Sequence, residues 1–257
     1  MRVKPNSLLA VLVGLTLNLG LTATAHAALQ GRDLNGSIGS FEAYYDTVLN
    51  ITWLADANYA KTSGYAADGL MTWAEAITWA ANLSFYNALT NQTYADWRLP
   101  TVAPVNGSDL NPNFSAIGST DYGYNISAPG TTYAGSTASE MAHMFYNTLN
   151  NPGKYTPAGA DSGCYGTRKD CLDNVGPFSN LQPWVYWSAT EYGYATDHAW
   201  NFAMYLGSQS TYDKPGDFYA WAVSSGDVGI SAVPEAQTYA LMLAGLGLVG
   251  WRARRRG

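Results

Sequence analysis

The sequence predicts an α+β fold with two helices, short antiparallel strands and long loops. Two segments place apolar residues at helical spacing behind a capping sequence. Other segments are rich in aromatic residues that partly alternate with polar ones, as half-buried strands do. Residues 102–135 and 150–183 are rich in Gly, Pro, Asn, Asp and Ser and are long for plain loops of a compact domain. These two stretches are therefore either functional or poorly ordered.

The N-terminus predicts a secretory signal peptide over residues 1–27. A positively charged start is followed by an apolar run over residues 8–21, which is too short for a permanent membrane span. The tripeptide Ala-His-Ala at 25–27 has the small-x-small pattern of a cleavage site. We therefore expect signal peptidase to cut between Ala27 and Ala28.

Strands are predicted from the aromatic segments. Residues 41–45 and 51–54 flank a polar turn and predict a hairpin. Three further strand-like segments follow later in the chain, at residues 184–190, 198–206 and 218–223.

Two capping boxes predict the helix starts. Thr72 and Glu75 have the spacing in which the hydroxyl and the carboxylate each satisfy a free backbone amide, and Thr137 and Glu140 repeat it. One apolar face follows each box: Trp73, Ala76, Ile77, Ala80 and Leu83 in the first helix, and Met141, Met144, Phe145, Thr148 and Leu149 in the second. Both faces are predicted to lie against the core, and residues 150–152 end the second helix.

The two cysteines, Cys164 and Cys171, are separated by six residues, which is neither a C-x-x-C redox spacing nor that of a zinc knuckle. In an exported chain, two nearby cysteines favour a disulfide. The alternative is a pair of reactive thiols.

The C-terminus has a three-part pattern over residues 233–257. Val233-Pro234-Glu235 precedes the apolar segment 238–251, and four arginines follow. Fourteen helical residues span about 21 Å, less than the roughly 30 Å of a bilayer core, so a short membrane helix with its arginines in the cytoplasm is predicted. This arrangement resembles the PEP-CTERM sorting tail. The resemblance implies transient inner-membrane anchoring, cleavage by an exosortase near the Pro-Glu motif, and release to the cell surface or outside. A permanent tail anchor is the alternative.

The charge of the body excludes one class of partner. Residues 28–233 carry 7 Lys and Arg against 18 Asp and Glu, a net charge of −11. Non-specific nucleic-acid binding needs a positive face, so we expect no nucleic-acid partner.

Four segments of the body share a pattern with a known family: Asp-Trp-Arg-Leu-Pro-Thr at 96–101, Tyr-Trp-Ser-Ala-Thr-Glu at 186–191, Ala-Trp-Asn-Phe at 199–202 and Tyr-Ala-Trp-Ala-Val at 219–223. With these segments, residues 28–232 resemble the Lcl C-terminal domain family, long filed as a domain of unknown function. The matching residues are Trp97, Arg98, Leu99, Pro100, Trp187, Ser188, Thr190, Glu191 and Trp200. The chain departs from the family at 224–225, where many members have Arg-Pro.

The resemblance implies a C-type-lectin-like fold, related to the fold of sulfatase-modifying enzymes, and an adhesive or glycan-binding role. The best understood members bind sulfated polysaccharides, but a net charge of −11 repels such polymers. A neutral exopolysaccharide fits the composition better, since aromatic rings stack on the apolar face of a sugar. The loop tyrosines are the candidates for stacking: Tyr122, Tyr124, Tyr133, Tyr165, Tyr192 and Tyr194.

The arginine and the tryptophans of these segments each have two interpretations. Arg98 is either a ligand contact or a structural arginine paired to a carboxylate, and the second is favoured. Trp97, Trp187, Trp200 and Trp221 lie in strand-like segments, which favours core positions over sugar stacking.

No catalytic residue is predicted. The body has two histidines, His143 and His198, and neither an H-E-x-x-H nor a G-x-S-x-G motif. No cofactor is expected, although calcium is possible because carboxylate and amide oxygens are its usual ligands. The candidate ligands are Glu191, Asp197 and Asn201 in one group and Asp161, Asp170 and Asp173 in the other.

Three functions remain open at this point. The favoured one is an exported, non-catalytic surface or extracellular-matrix protein that binds glycan or another surface protein in a biofilm setting. The second is an enzyme on a sulfatase-modifying-like fold, acting on polysaccharide or by thiol chemistry. The third is a structural envelope protein without a specific ligand.

Overall fold

A computed structural model of the protein describes residues 29–37, 39–166 and 170–231. The predicted signal peptide with its cleavage site, and the predicted sorting tail with Val233, Pro234 and Glu235, lie outside these residues. The described part is mostly β-sheet with few helices, which is compatible with the predicted α+β class. Within it, we find no helix with the length and apolar character that crossing a bilayer requires.

Thirteen strands and three α-helices are named in chain order. The strands are β1 (Leu29–Asp33), β2 (Ala43–Asp46), β3 (Ile51–Leu54), β4 (Phe85–Asn87), β5 (Gln92–Tyr94), β6 (Trp97–Arg98), β7 (Phe114–Ser115), β8 (Tyr122–Tyr124), β9 (Val185–Glu191), β10 (His198–Ala203), β11 (Ser208–Asp213), β12 (Val223–Ser225) and β13 (Ile230–Ser231). The helices are α1 (Tyr59–Thr62), α2 (Trp73–Ala81) and α3 (Glu140–His143), and a π-helical turn (Met144–Thr148) continues α3.

The strands form two main sheets and a small hairpin. The first sheet has the order β13-β1-β2-β3-β12-β6 and is antiparallel throughout. The second has the order β7-β8-β11-β10-β9, with β7 and β8 parallel. Strands β4 and β5 pair separately. Both ends of the described chain therefore meet at one edge of the first sheet, where β1 pairs with β13.

The predicted hairpin is confirmed as β2 and β3, and a buried carboxylate explains its turn. Asp46 is fully buried, and its Oδ1 accepts the backbone N–H groups of Val48 and Leu49 at 2.9 and 3.0 Å. Asn50 takes the left-handed conformation (φ 53°) that closes the turn.

An arginine joins the first strand, β1, to the loop between the last two strands of the first sheet. Arg32 on β1 is 2% exposed, and its Nε and Nη2 donate to the Asp227 carboxylate at 2.5 and 2.8 Å. Its guanidinium also lies 5.3 Å from the centre of the Tyr45 ring. Asp227 lies between β12 and β13, so this ion pair ties the C-terminal strands to β1.

Two of the three later strand predictions are close to the observed β9 and β10. The third, over residues 218–223, is wrong for most of its length, since only Val223 belongs to a strand. Phe218 instead bridges to Met71, and Tyr219 bridges to Tyr186. This segment runs between the two sheets, so no single strand accompanies it along its length.

The first of the two predicted helices is α2, and it begins where its capping box predicts. The Thr72 hydroxyl accepts the N–H of Glu75, and the Glu75 carboxylate accepts the N–H of Thr72 at 3.0 Å. Hydrogen bonding to Thr72 lowers the pKa of Glu75. Helix α2 then contacts β6 and β9, so it joins the two main sheets.

The predicted capping box of the second helix is wrong. The helix cap is Ser139, whose side chain accepts the N–H of Ala142. The Glu140 carboxylate does not turn back to Thr137, because it binds both terminal nitrogens of Arg98 at 2.7 Å. A long-range ion pair has taken the place of the local capping interaction, and helix α3 begins two residues later than predicted.

The core is unusually aromatic, in keeping with the composition. Trp53, Trp187, Trp200 and Trp221 are fully buried, and Trp53 and Trp221 have ring centres 4.5 Å apart. Trp97 is 2% exposed. All four tryptophans of the family-like segments are therefore buried, as predicted for core positions.

The family-like segments also contact one another. The N–H of Ala189 donates to the carbonyl of Pro100 at 2.8 Å, and the Thr190 hydroxyl accepts the N–H of Val102. The Ser188 carbonyl accepts the indole N–H of Trp73 on α2. These segments build the scaffold between the sheets.

The predicted disulfide between Cys164 and Cys171 is present. Its ring contains Tyr165, and the N–H of Cys171 donates to the carbonyl of Tyr205 at 3.1 Å. The bridge thus fixes a loop of the 150–183 stretch against the turn between β10 and β11.

Replacing both cysteines with alanine is expected to lower the free energy of unfolding by about 2.5 kcal/mol, because an eight-residue ring no longer restricts the unfolded chain. Urea denaturation followed by tryptophan fluorescence would measure this. The fluorescence of the folded state should stay native, since the tryptophan core lies in the sheets. Loss of cooperative unfolding would contradict the prediction, and reduced wild-type protein is the control.

Candidate functional site

Four aromatic side chains of the two long loop stretches meet two further ones, Trp184 and Tyr205, at one end of the second sheet. We call this set the aromatic ridge. Its members are Phe114, Tyr124, Tyr155, Tyr165, Trp184 and Tyr205. Three of them are substantially exposed: Phe114 at 63%, Tyr165 at 52% and Trp184 at 49%. The other three are partly buried and support them.

Trp184 and Tyr205 form the flattest part of the ridge. Their rings are stacked, with centres 5.4 Å apart and an interplanar angle of 20°. One face of the Trp184 ring lies on Tyr205, and Trp184 is nevertheless half exposed. Tyr165 stands next to Tyr205, with ring centres 6.4 Å apart.

The rest of the ridge follows through edge-to-face contacts. Tyr124 contacts Tyr155 at 4.8 Å and Phe114 at 6.0 Å between ring centres. Lys154 links the two halves, since its ammonium lies 5.5 Å from the centre of the Tyr155 ring and 4.9 Å from that of Tyr165. Such contacts hold the rings in fixed orientations.

Backbone hydrogen bonds hold the turn beneath the ridge. The N–H of Lys154 donates to the carbonyl of Leu206 at 2.9 Å, next to the bond between Cys171 and Tyr205. The Tyr146 hydroxyl donates to the Gly207 carbonyl at 2.5 Å, and Gly207 has a positive φ of 69°. A side chain at Gly207 would meet the rings of Phe145 and Tyr146 within 2.6 Å. The ridge therefore rests on a rigid turn.

Burial favours the neutral form of two tyrosine hydroxyls of the ridge, those of Tyr124 and Tyr205. Burial raises the pKa of Tyr124, and the neighbouring Tyr155 raises it further. Burial also raises the pKa of Tyr205. These hydroxyls remain available as hydrogen-bond donors at neutral pH and above.

Of the tyrosines that the sequence singled out, two belong to the ridge: Tyr124 and Tyr165. Tyr192 lies elsewhere, against the buried Trp200 (5.6 Å) and beside the exposed Tyr194 (5.5 Å). Tyr122 also contacts Trp200. Tyr133 is partly buried and belongs to neither group.

Sequence reasoning missed four ridge members: Phe114, Tyr155, Trp184 and Tyr205. Trp184 was assigned to a strand, but it precedes β9 directly after a proline. Tyr205 lies in the turn before Gly207, and Phe114 lies on the two-residue strand β7. An aromatic residue beside a turn-forming Pro or Gly is the signal that was available.

The first group of calcium candidates does not converge on a vacant oxygen site. Glu191 forms an ion pair with Lys214, whose ammonium also lies over the Trp73 ring at 4.4 Å. Asp197 binds His198 Nδ1 at 2.8 Å, which lowers the pKa of Asp197. The Asn201 amide oxygen is buried and accepts the Ser210 hydroxyl at 2.7 Å.

The second group is used in local turns. Asp161 accepts the N–H of Gly163 at 2.8 Å, and Asp170 accepts that of Gly166 at 3.0 Å. Asp173 is exposed. Over residues 29–37, 39–166 and 170–231, no three His, Cys, Asp or Glu side chains are grouped as metal ligands.

The remaining candidates have structural partners. Arg98 pairs with Glu140, as a structural arginine would. His143 is buried, with Nδ1 3.1 Å from the Ser136 carbonyl, and His198 lies between Asp197 and Asp213, 2.7 Å from the latter.

The C-terminal pattern of a Pro-Glu motif, an apolar segment and an arginine cluster has a counterpart among known protein families. Residues 232–256 match the PEP-CTERM protein-sorting motif. A PEP-CTERM motif implies an exported protein that passes through a membrane and is processed by an exosortase. The matched model describes a sorting motif and not an enzyme family, and nothing in the comparisons indicates catalysis.

The comparisons do not extend to the body. No family hit supports the Lcl C-terminal-like domain that its segments resemble. Neither the curated proteins nor the solved structures gave a match to the chain.

Proposed function

We propose that the protein is a non-catalytic component of the bacterial surface or extracellular matrix, and that it binds a neutral exopolysaccharide through the aromatic ridge. The observation that carries this proposal is the Trp184 ring, which is stacked on Tyr205 while Trp184 remains half exposed. Large exposed apolar groups held in a fixed arrangement mark interaction sites. The apolar face of a sugar ring carries C–H groups that contact the electron-rich face of an aromatic ring.

The charge of the protein favours a neutral polymer. The body has a net charge of −11, which opposes anionic glycans through long-range repulsion. Among the described residues, Lys154 is the basic residue whose side chain contacts rings of the ridge. Stacking on an uncharged sugar carries no such electrostatic penalty.

The domain assignment is part of the same proposal. Residues 28–232 form the binding body between a signal peptide over 1–27 and a sorting tail over 233–257, and the body has a C-type-lectin-like fold. Support comes from the scaffold of family-like segments, in which Ala189 bonds to Pro100 and Thr190 to Val102. An exported matrix protein needs such a rigid scaffold to present long loops.

Removing the ridge rings is expected to weaken binding to neutral polysaccharide by about tenfold or more, equivalent to about 1.4 kcal/mol. The variants are Trp184→Ala and Tyr165→Ala, and the measurement is affinity electrophoresis against the neutral polymer that a glycan array selects. Tyr65→Ala is the matched control, because Tyr65 is 55% exposed and Tyr165 is 52% exposed. Equal loss in Tyr65→Ala would contradict the assignment of the ridge.

The effects of salt and calcium on binding distinguish a neutral-polymer site from an anionic-glycan site and from a protein without a glycan ligand. Stacking on neutral sugar should vary little between low and high ionic strength, whereas attraction between charges is screened. Tight heparin binding in EDTA that disappears at high salt would overturn the neutral-polymer proposal. If no array glycan binds with or without calcium, the protein is better described as a structural envelope protein.

A further inference from the structure

A cavity lies away from the ridge, beside the open end of the β2–β3 hairpin. The cavity has a volume of about 450 Å³, within the range of small-ligand sites. Its lining includes three aromatic side chains and three polar ones: Phe41, Tyr59, Phe85, Asn35, Glu42 and Asp56. No residue of the aromatic ridge takes part, so the site is independent of the proposed function.

The aromatic side chains form fixed walls. Phe41 is 38% exposed, and its ring covers Gly31 so closely that a Cβ there would lie 2.4 Å from Phe41 Cδ2. Tyr59 and Phe85 have ring centres 5.6 Å apart. Phe85 is supported from behind by the buried Trp97, at 5.4 Å and nearly perpendicular.

The two carboxylates are oriented by neutral donors. Glu42 accepts the Leu34 N–H at 3.0 Å and the Ser40 hydroxyl at 2.8 Å. Asp56 accepts the Asn58 N–H at 2.9 Å and the Asn180 amide at 3.0 Å.

These hydrogen bonds fix the carboxylates without cancelling their charge. The five described ion pairs leave out both Glu42 and Asp56. Neither Lys nor Arg is among the cavity lining. The site therefore combines negative charge with aromatic faces.

We propose that this cavity binds an amino sugar through its free ammonium group. A cation is attracted both by the faces of aromatic rings and by carboxylates that lack a basic partner. The walls of Phe41, Tyr59 and Phe85 contact the apolar face of the sugar ring, and Asn35 supplies an amide for a hydroxyl. An N-acetylated sugar has the same ring but no charge, so the cavity distinguishes the two.

The test compares a tetramer of glucosamine with a tetramer of N-acetylglucosamine by isothermal titration calorimetry on the exported protein. We expect the glucosamine tetramer to bind at least about tenfold more tightly and to weaken as salt is added. Glu42→Gln removes one of the two charges; its amide oxygen can still accept the Leu34 N–H and its amide NH2 can donate to the Ser40 hydroxyl, so it should reduce this preference. Phe41→Ala should weaken binding of the glucosamine tetramer while the negative charge remains.

Tyr65→Ala is the control, because Tyr65 is 55% exposed and belongs neither to the cavity lining nor to the ridge, so this change should leave glucosamine binding unchanged. Unchanged near-ultraviolet circular dichroism would show that each variant is folded. Equal affinity for the two tetramers, or absence of binding to either, would overturn the proposal. Equally tight binding of a lysine peptide of the same charge would overturn the amino-sugar assignment. The ridge is tested by a neutral polymer, so the two proposals fail separately.

Discussion

Replacing Pro234 and Glu235 together with alanine is expected to stop release of the protein and to leave it in the inner membrane. Both residues lie in the matched PEP-CTERM motif. Without the cleavage motif, the apolar segment 238–251 and its arginines stay attached to the body. A segment with a cytoplasmic arginine cluster resists translocation, so the extracellular pool should fall by at least about tenfold.

Cell fractionation and immunoblotting would measure this distribution. Gln237→Asn is the control, since it alters the tail but not the Pro-Glu motif, and it should be released normally. Peptide mapping adds a second check, because released wild-type protein should contain no peptide from 238–252. Recovery of that peptide from the medium, or normal release of the double variant, would contradict exosortase processing near this motif.

Replacing Glu140 with glutamine is expected to lower the free energy of unfolding by about 2–3 kcal/mol, because it leaves a largely buried guanidinium without its counter-charge. The Glu140 carboxylate binds both terminal nitrogens of Arg98 and the N–H of Thr101, all at 2.7 Å. The side chain of Glu140 is 11% exposed and that of Arg98 is 31% exposed. The remaining water contact of Arg98 keeps the loss below that of a fully buried pair.

Glu191→Gln is the matched control for this measurement. Glu191 also pairs with a basic residue, Lys214, but its side chain is 48% exposed. A surface pair contributes about 1 kcal/mol or less, so the control should differ little from wild type in urea denaturation. Equal losses in the two variants would show that burial does not determine the strength of the Arg98 pair.

Local signals in the sequence were sufficient where the partners lie close along the chain. The Thr72 capping box, the hairpin around Asp46 and the Cys164–Cys171 disulfide each join residues within ten positions, and each is present. The second capping box failed for the opposite reason. Glu140 had a stronger partner in Arg98, 42 residues away, and no local pattern reports such a competitor.

The candidate site shows the same limit. Tyr124 and Tyr165 were recognised as exposed aromatic residues of loops, but nothing in the sequence joins them to Trp184 and Tyr205. The ridge depends on contacts between distant segments, such as the bond from Lys154 to Leu206. The composition indicates that the protein has many aromatic residues available for binding, but only the tertiary fold shows which of them lie side by side.

The pairing of β1 with β13 joins the two strands that stand next to the predicted processing sites in the sequence. β1 begins at Leu29, one residue after the predicted signal cleavage, and β13 ends at Ser231, one residue before the matched motif. In the folded body these two strands are hydrogen-bonded to each other, and the Arg32–Asp227 ion pair fastens the loop before β13 to β1. Cleavage at the predicted positions would therefore leave a body whose first and last strands are joined.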